Sequence, residues 1–137
     1  MPTLGWITPN PTQGHERALI LASRFEVAHW WQVPGFLRFS IRAWRQVSAA
    51  PGALGASLQA QPLRRVFWTL SAWTDEETLR AYARSDPHRE IMRAVRSSTR
   101  TATLVRWTLP VDQLPPSWGE ARDRLAAAAH RNGVNGD

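Results

Sequence analysis

The most regular hydrophobic pattern in the chain is the stretch of residues 65–74. It contains no charged residue after Arg65 and mixes aromatic, β-branched and small residues, as buried strands do. Because successive side chains of a strand point to opposite sheet faces, Trp68 and Trp73 are predicted to lie on opposite faces. One face is apolar, and the other face carries two hydroxyls between two aromatic rings: Phe67, Thr69, Ser71 and Trp73. The hydroxyls indicate either a pocket or ordinary packing with hydrogen bonds to nearby backbone.

Three other segments alternate with the two-residue period of strands, and they are residues 18–27, 53–61 and 99–109. Two segments have a helical period instead. Residues 34–49 begin with Pro34, which suits the first turn of a helix, and they carry an apolar stripe that is expected to face the core. That stripe consists of Leu37, Ile41, Trp44 and Val47 or Ser48, with Phe36, Ser40 and Ala43 beside it. Thr74 and Glu77 have the spacing of a capping box and predict a second helix, which restarts at Asp86 and Pro87.

The order of these elements is strand, helix, strand, strand, helix, strand. A βαββαβ order predicts an α+β, ferredoxin-like domain over residues 18–110, with a four-stranded antiparallel sheet and both helices on one face. We interpret residues 1–17 as an N-terminal arm that Trp6 holds to the domain. Residues 111–137 are interpreted as a proline-rich linker, a helix capped by Ser117 and a tail that is disordered from Asn132.

The second face of this sheet has no predicted helix of the barrel domain on it. The strands nevertheless carry Leu, Val and Trp on both sides. An apolar face is not expected to remain in water, so we expect a second copy of the chain to cover it in a homodimer.

Composition limits the kind of protein. A chain of 137 residues forms one domain, and it contains no cysteine for a disulfide or a thiolate metal site. Its four histidines are scattered, so a metal site is not expected. The net charge is +6 and every basic residue is arginine, but no nucleic-acid motif or dense basic run accompanies it, so we expect no nucleic-acid partner. We also expect a cytoplasmic protein without membrane insertion, because no apolar run reaches the ~18 residues of a membrane span and no signal peptide is evident.

Several of these motifs together resemble a known superfamily. The segment 67–77, followed by Leu79, Tyr82 and Pro87-His88, resembles the dimeric α+β barrel superfamily, as does the pattern Trp31, Pro34, Phe36, Leu37. Within it, the chain is similar to antibiotic-biosynthesis monooxygenases and spheroidene-monooxygenase-like proteins. The resemblance implies a homodimer with one pocket per subunit, between the sheet and its helices. It is specific for the fold and less so for the reaction, because this fold carries many chemistries.

The same resemblance bears on cofactors. Its haem-degrading members use an asparagine, a tryptophan and a histidine at places that here correspond to Ser23, Tyr82 and Met92. All three residues depart from that pattern. We therefore expect no cofactor, with haem held through His88 or His29 as the alternative.

Three polar residues are the candidates for catalysis. His88 can move a proton near neutral pH, with help from Tyr82, and Arg106 can hold an oxyanion. The alternatives are a surface role for His88 and a water-facing edge charge for Arg106. The candidate substrate-binding residues are Phe67, Thr69, Ser71, Trp73, Trp68, Trp44, Trp31, Ser23 and Met92; for the aromatic residues among them, plain core packing is the alternative.

These features predict a monooxygenase-like enzyme of natural-product biosynthesis that acts on a hydrophobic, polycyclic or polyketide-type substrate. A cofactor-free cyclase, isomerase or dehydratase needs the same shaped aromatic pocket and one acid or base, so it remains the alternative. A ligand-binding dimer without catalysis is the third possibility. No nucleotide-binding loop, nucleophile elbow or carboxylate pair is present in the sequence.

Overall fold

The computed structural model describes residues 3–84, 93, 96–97 and 99–135. Five strands form one antiparallel sheet in the order β1-β3-β4-β2-β5. They are β1 (Thr3–Ile7), β2 (Arg17–Val27), β3 (Ala53–Gln61), β4 (Val66–Trp73) and β5 (Thr99–Pro110). Helix α1 (Val33–Ser48) follows β2, α2 (Glu76–Arg84) follows β4, and α3 (Trp118–Asn135) follows β5. The predicted ferredoxin-like α+β fold is confirmed, and its four predicted strands are β2 to β5.

The alternation of side chains along β2 and β4 gives the sheet two buried faces. Strand β2 pairs with β4 on one side and with β5 on the other. The register places Ser23 opposite Thr69 and Phe25 opposite Phe67, so the odd-numbered residues of both strands share one face. We call this the helix face, because α1 and α2 pack against it, and we call the opposite one the outer face.

Strand β1 was not predicted from the sequence, in which residues 1–17 were interpreted as an N-terminal arm. It pairs with β3 and adds a fifth strand at the edge of the sheet. Trp6 packs into the apolar cluster of the outer face, as expected of a residue that holds the arm. Its indole lies directly against Gly55, where any Cβ would overlap the ring, so this position requires glycine.

Helix α1 occupies the predicted span, but its buried side is rotated from the predicted stripe. Phe36 and Val47 are its buried residues, whereas Leu37 is 39% exposed. The prediction failed because α1 carries apolar residues on more than one side, and the sheet selects Phe36 by packing it against Phe67, at 4.6 Å between ring centroids. Arg38, Arg42 and Arg45 are exposed on the opposite side.

Helix α2 starts one residue later than the proposed capping box requires. The cap is Asp75, whose Oδ1 accepts a hydrogen bond of 2.8 Å from the backbone N–H of Thr78. Thr74 lies before this cap, and its backbone N–H donates to the carbonyl of Gly52. Leu79 is the buried residue of α2, as predicted.

Helix α3 covers the outer face of the sheet. Ala121 and Leu125 are buried against the apolar cluster that contains Trp68 and Trp107. The guanidinium of Arg122 lies 4.5 Å from the centroid of the Trp68 ring. The premise that this face is bare is therefore wrong, because the chain covers it with its own C-terminal helix. The homodimer itself stays a prediction, and it needs another reason.

The start of α3 agrees with the sequence, and its end does not. The Oγ of Ser117 accepts a 3.0 Å hydrogen bond from the backbone N–H of Glu120, as predicted for a cap. Residues 132–135, which were expected to be disordered, continue the helix to Asn135. Among the helices that the structure describes, none is both long and apolar enough to cross a lipid bilayer.

Candidate functional site

A cavity of about 520 Å³ lies between the helix face of the sheet and helices α1 and α2. Its floor comes from β2, β3 and β4, and its sides come from α1 and α2. Arg93 and Arg96 also contribute to the lining. The sequence places a pocket here because the middle of β4 turns the small hydroxyl side chains of Thr69 and Ser71 toward the helices.

The floor of the cavity carries three hydroxyls. Ser23 and Thr69 face each other across β2 and β4, and their hydroxyls hydrogen-bond to each other. Ser71 accepts a 2.9 Å hydrogen bond from Nε1 of Trp73. Among the described residues, the hydroxyl hydrogen of Ser71 has no acceptor, so it can be donated to a ligand.

Aromatic rings form the walls of the cavity. Trp73 packs against Tyr82 with ring centroids 5.0 Å apart, and Phe36 and Trp44 line the side given by α1. The indole N–H of Trp44 is buried and has no hydrogen-bond partner among the described residues. A buried donor without a partner costs free energy. This N–H is not exposed to the open space of the cavity, so Trp44 contributes its ring to the wall.

Tyr82 is held in place rather than free to exchange protons. Its hydroxyl donates a 3.0 Å hydrogen bond to the backbone carbonyl of Ala43, which ties α2 to α1. Burial raises the pKa of the Tyr82 phenol well above its ordinary value of 10.0, because the charged form is poorly solvated there. The phenol is therefore neutral near pH 7, and the role of Tyr82 as a helper in proton removal stays a prediction.

Arg106 lies on β5 at the edge of the cavity. Its Nη1 is 3.0 Å from Oε1 of Glu76, and the same carboxylate oxygen lies 2.9 Å from Nη2 of Arg80. The side chains are half exposed, so this shared ion pair is weak and readily rearranged. Arg106 can therefore exchange part of its contact with Glu76 for an anion in the cavity.

The structure brings together some of the residues predicted for the site. Those that line the cavity are Ser23, Trp44, Thr69, Ser71, Trp73, Tyr82 and Arg106. His88 and Met92 lie outside the described residues.

Three predicted substrate-binding aromatics do not line the cavity. Trp68 lies on the outer face beneath α3, as strand parity requires once Trp73 faces the cavity. Phe67 is buried behind Phe36. Trp31 is 75% exposed and stacks on the imidazole of His29, at 4.2 Å between centroids. His29 is consequently a surface residue outside the cavity lining. Haem held through His29 or His88 stays the alternative to a protein without a cofactor.

Sequence reasoning missed several residues of the lining. The apolar ones are Phe25, Phe36, Phe39, Leu58 and Leu104, and the basic ones are Arg80, Arg84, Arg93 and Arg96. The parity of β2 could have indicated Phe25, because it has the same parity as Ser23. The arginines of α2 could not be recognised in this way, because arginines on one side of a helix are also the usual pattern of a side that faces solvent.

The chemistry of this lining favours anions over proton removal. Among the described residues, it contains no histidine and no carboxylate, whereas it presents hydroxyls and guanidinium groups. All of these are hydrogen-bond donors near neutral pH. The arrangement can hold a hydrophobic ring system and stabilise negative charge that develops on its oxygen.

Solved structures with the same fold come from antibiotic-biosynthesis monooxygenase-like proteins. SnoaB, a cofactor-independent oxygenase from Streptomyces nogalater, is 18% identical, with a TM-score of 0.60 over 72% of this chain and 98% of its own. A structure of an antibiotic biosynthesis monooxygenase is 13% identical, with a TM-score of 0.60 over 65% of this chain and 95% of its own. A protein of unknown function from Nitrosomonas europaea is 20% identical, with a TM-score of 0.61 over 76% of this chain and all of its own. At these identities the likeness establishes the fold.

Sequence comparison adds the family. Among curated protein sequences, none matches this chain. A family profile matches residues 25–134, which include the sheet from the end of β2, both helices of the helix face and most of α3. The chain therefore belongs to the DUF3291 family, whose description is a domain of unknown function.

Proposed function

We propose that this chain is a cofactor-independent monooxygenase that acts on a hydrophobic, polycyclic or polyketide-type substrate. The observation that carries the proposal is the cavity between the helix face and helices α1 and α2. Its walls are aromatic, and its described polar residues supply hydrogen-bond donors but no carboxylate and no histidine. A substrate that gives electrons to oxygen itself needs such a site to bind it and to stabilise its anion. The fold is shared with SnoaB, which is a cofactor-independent oxygenase.

In the proposed reaction, the substrate loses a proton from a carbon atom whose C–H bond is made acidic by a carbonyl group of the same ring system. The resulting enolate gives an electron to O₂, and the carbon radical and superoxide combine to a peroxide. Loss of water from the peroxide leaves a new carbonyl group. One oxygen atom of O₂ stays on carbon and the other leaves as water. The two C–H bonds of the substrate carbon supply the two hydrogens of that water and the four electrons that reduce O₂.

The residues of the cavity are assigned to binding the substrate and stabilising its enolate anion. Trp73 and Phe36 hold the rings, while Arg106 and the hydroxyl of Ser71 donate to the enolate oxygen. His88 stays the candidate base for the first proton transfer, and it lies outside the described residues. Tyr82 is assigned to positioning α2 against α1 through its bond to Ala43.

The test uses anthrone, whose methylene group lies between two rings and opposite a carbonyl. Purified protein should consume oxygen and form anthraquinone faster than a protein-free control, and the product should acquire one oxygen atom from labelled O₂. Arg106→Gln should lower turnover by up to about 10²-fold, because one donor to the oxyanion is lost. Arg42→Gln removes the same charge from the exposed side of α1 and should leave turnover unchanged.

Two results would change the proposal. If anthrone and related reduced polycyclic phenols bind without any oxygen consumption, the chain is a binding protein or acts on another chemistry. If a polyketide-type substrate gives a product of unchanged mass, or one lighter by water, under anaerobic conditions, the cyclase or dehydratase alternative is correct.

A further inference from the structure

Five arginines contribute to the cavity lining, and they are Arg80, Arg84, Arg93, Arg96 and Arg106. The carboxylate of Glu76 is shared between two of them, Arg80 and Arg106. Arg84, Arg93 and Arg96 are exposed and have no ion pair among the described residues. We call these five residues the arginine rim, and it bears a net positive charge.

The arginine rim differs from an ordinary solvated helix side in what it borders. Arg38, Arg42 and Arg45 of α1 are also exposed, but none of them lines the cavity. In contrast, the rim borders a space whose floor and walls are apolar rings and hydroxyls. A ligand that is complementary to both the cavity and the arginine rim has a hydrophobic ring system at one end and an anionic group at the other.

The spacing of the rim residues also has an energetic consequence. Arg80 and Arg84 are four residues apart on α2, so they share one helix side. Like charges at this spacing repel each other. An anionic group between them relieves the repulsion, and the planar guanidinium matches a carboxylate or a phosphate with paired hydrogen bonds.

We infer that the substrate carries a permanently ionised acid, a carboxylate or a phosphate. Arg80, Arg84, Arg93 and Arg96 of the arginine rim hold this acid at the mouth while the rings enter the cavity, and Arg106 is left to the enolate oxygen. This rests on the proposed function only in taking the cavity as the substrate site. The acid is distinct from the enolate of the reaction, because it is ionised before the substrate binds and stays unchanged during turnover.

Three probes of one ring system test the inference: 2-naphthoate, 2-naphthyl phosphate and the neutral 2-naphthamide. None of them has the activated carbon that oxygenation requires, so their binding is independent of catalysis. Titration at low ionic strength should show at least one acid binding roughly three- to tenfold more tightly than the amide. Added salt should reduce this preference, because the rim is exposed to solvent. Comparison of the two acids shows whether the rim prefers a carboxylate or a phosphate.

The variant Arg93→Gln with Arg96→Gln should abolish most of the preference for the acid and leave the affinity for 2-naphthamide unchanged. Arg42→Gln with Arg45→Gln is the matched control, which removes the same charge away from the cavity and should keep the preference. Equal affinities of the acids and the amide in the unmodified protein, or no binding of either acid, would overturn the inference. So would a preference that falls equally in both double variants. A preserved acid preference without turnover of either anthrone or an anthrone that carries a carboxylate would overturn only the proposed function.

Discussion

At the residue scale, the cavity floor depends on two hydroxyls that strand register brings together. Ser23 and Thr69 are directly opposite each other on β2 and β4, and each satisfies the other. Ser23 is 3% exposed, so water does not replace a lost partner. Because of this register, the contribution of each hydroxyl to the free energy of unfolding depends on the presence of the other.

Removal of one member of this pair should cost more than removal of both. We expect Thr69→Val to lower the free energy of unfolding by about 1–3 kcal/mol, because the Ser23 hydroxyl is left buried without its partner. Ser23→Ala combined with Thr69→Val should recover much of that loss. Denaturant unfolding of both single variants and the double variant gives the coupling energy. Strictly additive effects would mean that the two hydroxyls do not depend on each other.

Tyr82 permits an unusually clean measurement of pH dependence. It is the single tyrosine of the chain, which also lacks lysine and cysteine, so it is the side chain that titrates between the histidines and the arginines. Burial raises its pKa above the ordinary 10.0 in the folded state. Above pH 10 the unfolded chain releases this proton first, so the free energy of unfolding falls as pH rises, and the full stability is present below pH 10.

We therefore expect tyrosinate absorbance to appear at higher pH in the native protein than in the chemically unfolded one. The alkaline loss of stability should be absent from Tyr82→Phe. That variant should also lose about 0.5–1.5 kcal/mol at neutral pH, since the hydrogen bond to Ala43 is gone. Coincident tyrosinate titrations in the native and unfolded states would contradict the burial of this phenol.

How far the sequence predicts single residues depends on whether a strand or a helix carries them. The parity of β4 correctly separates Trp73 from Trp68, because a strand has only two faces. A helix has no such binary choice, and Leu37 of α1 was assigned inward although Phe36 takes that place. The arginines of α2 were missed for the same reason, since only the packing of the helix shows which of its sides borders a cavity.

At the element scale, α3 shows how a weakly hydrophobic helix can cover a sheet. Its buried positions are Ala121, Leu125 and Ala128, so small side chains make up most of the contact stripe. Arg122 and Arg124 add their guanidinium groups over the rings of Trp68 and Trp107. Such a helix gives little hydrophobic periodicity in the sequence, which is why its docking was not predicted.

Leu125 is the largest of the buried residues of α3, at 2% exposure. Leu125→Ala should lower the free energy of unfolding by about 2–5 kcal/mol, through lost burial and the void that remains. Ala127→Ser, on the exposed side of the same helix, is the control and should change stability by less than about 0.5 kcal/mol. Thermal or denaturant unfolding measures both, and equal small effects would mean that α3 is not docked on the sheet in solution.

Strand β1 was missed for a different reason from α3. Its five residues are too few to establish an alternation, and they precede a segment rich in proline and glycine that predicts irregular structure. Its place becomes evident only through Trp6, which fits against Gly55 of β3. Residues 53–61 were assigned to a strand correctly, but their sequence does not show that another strand lies beside them.

At the scale of the whole molecule, the two faces of the sheet have different occupants. The helix face contains the cavity, while α3 closes the outer face with Trp68 and Trp107 beneath it. A second copy of the chain and α3 cannot occupy the same area of the outer face. If this chain forms a homodimer, it therefore uses another surface or first releases α3.

The last prediction follows from this competition for the outer face. A chain that ends at Gln113 lacks α3, and it should expose the rings of Trp68 and Trp107 as part of a large apolar patch. We expect this shortened chain to form larger assemblies than the full chain at the same micromolar concentration, as measured by sedimentation velocity. A chain that ends at Arg131 keeps the buried positions of α3 and should behave as the full chain does. If the chain ending at Gln113 stays folded by circular dichroism and sediments like a chain with the helix, α3 does not substitute for a partner on this face.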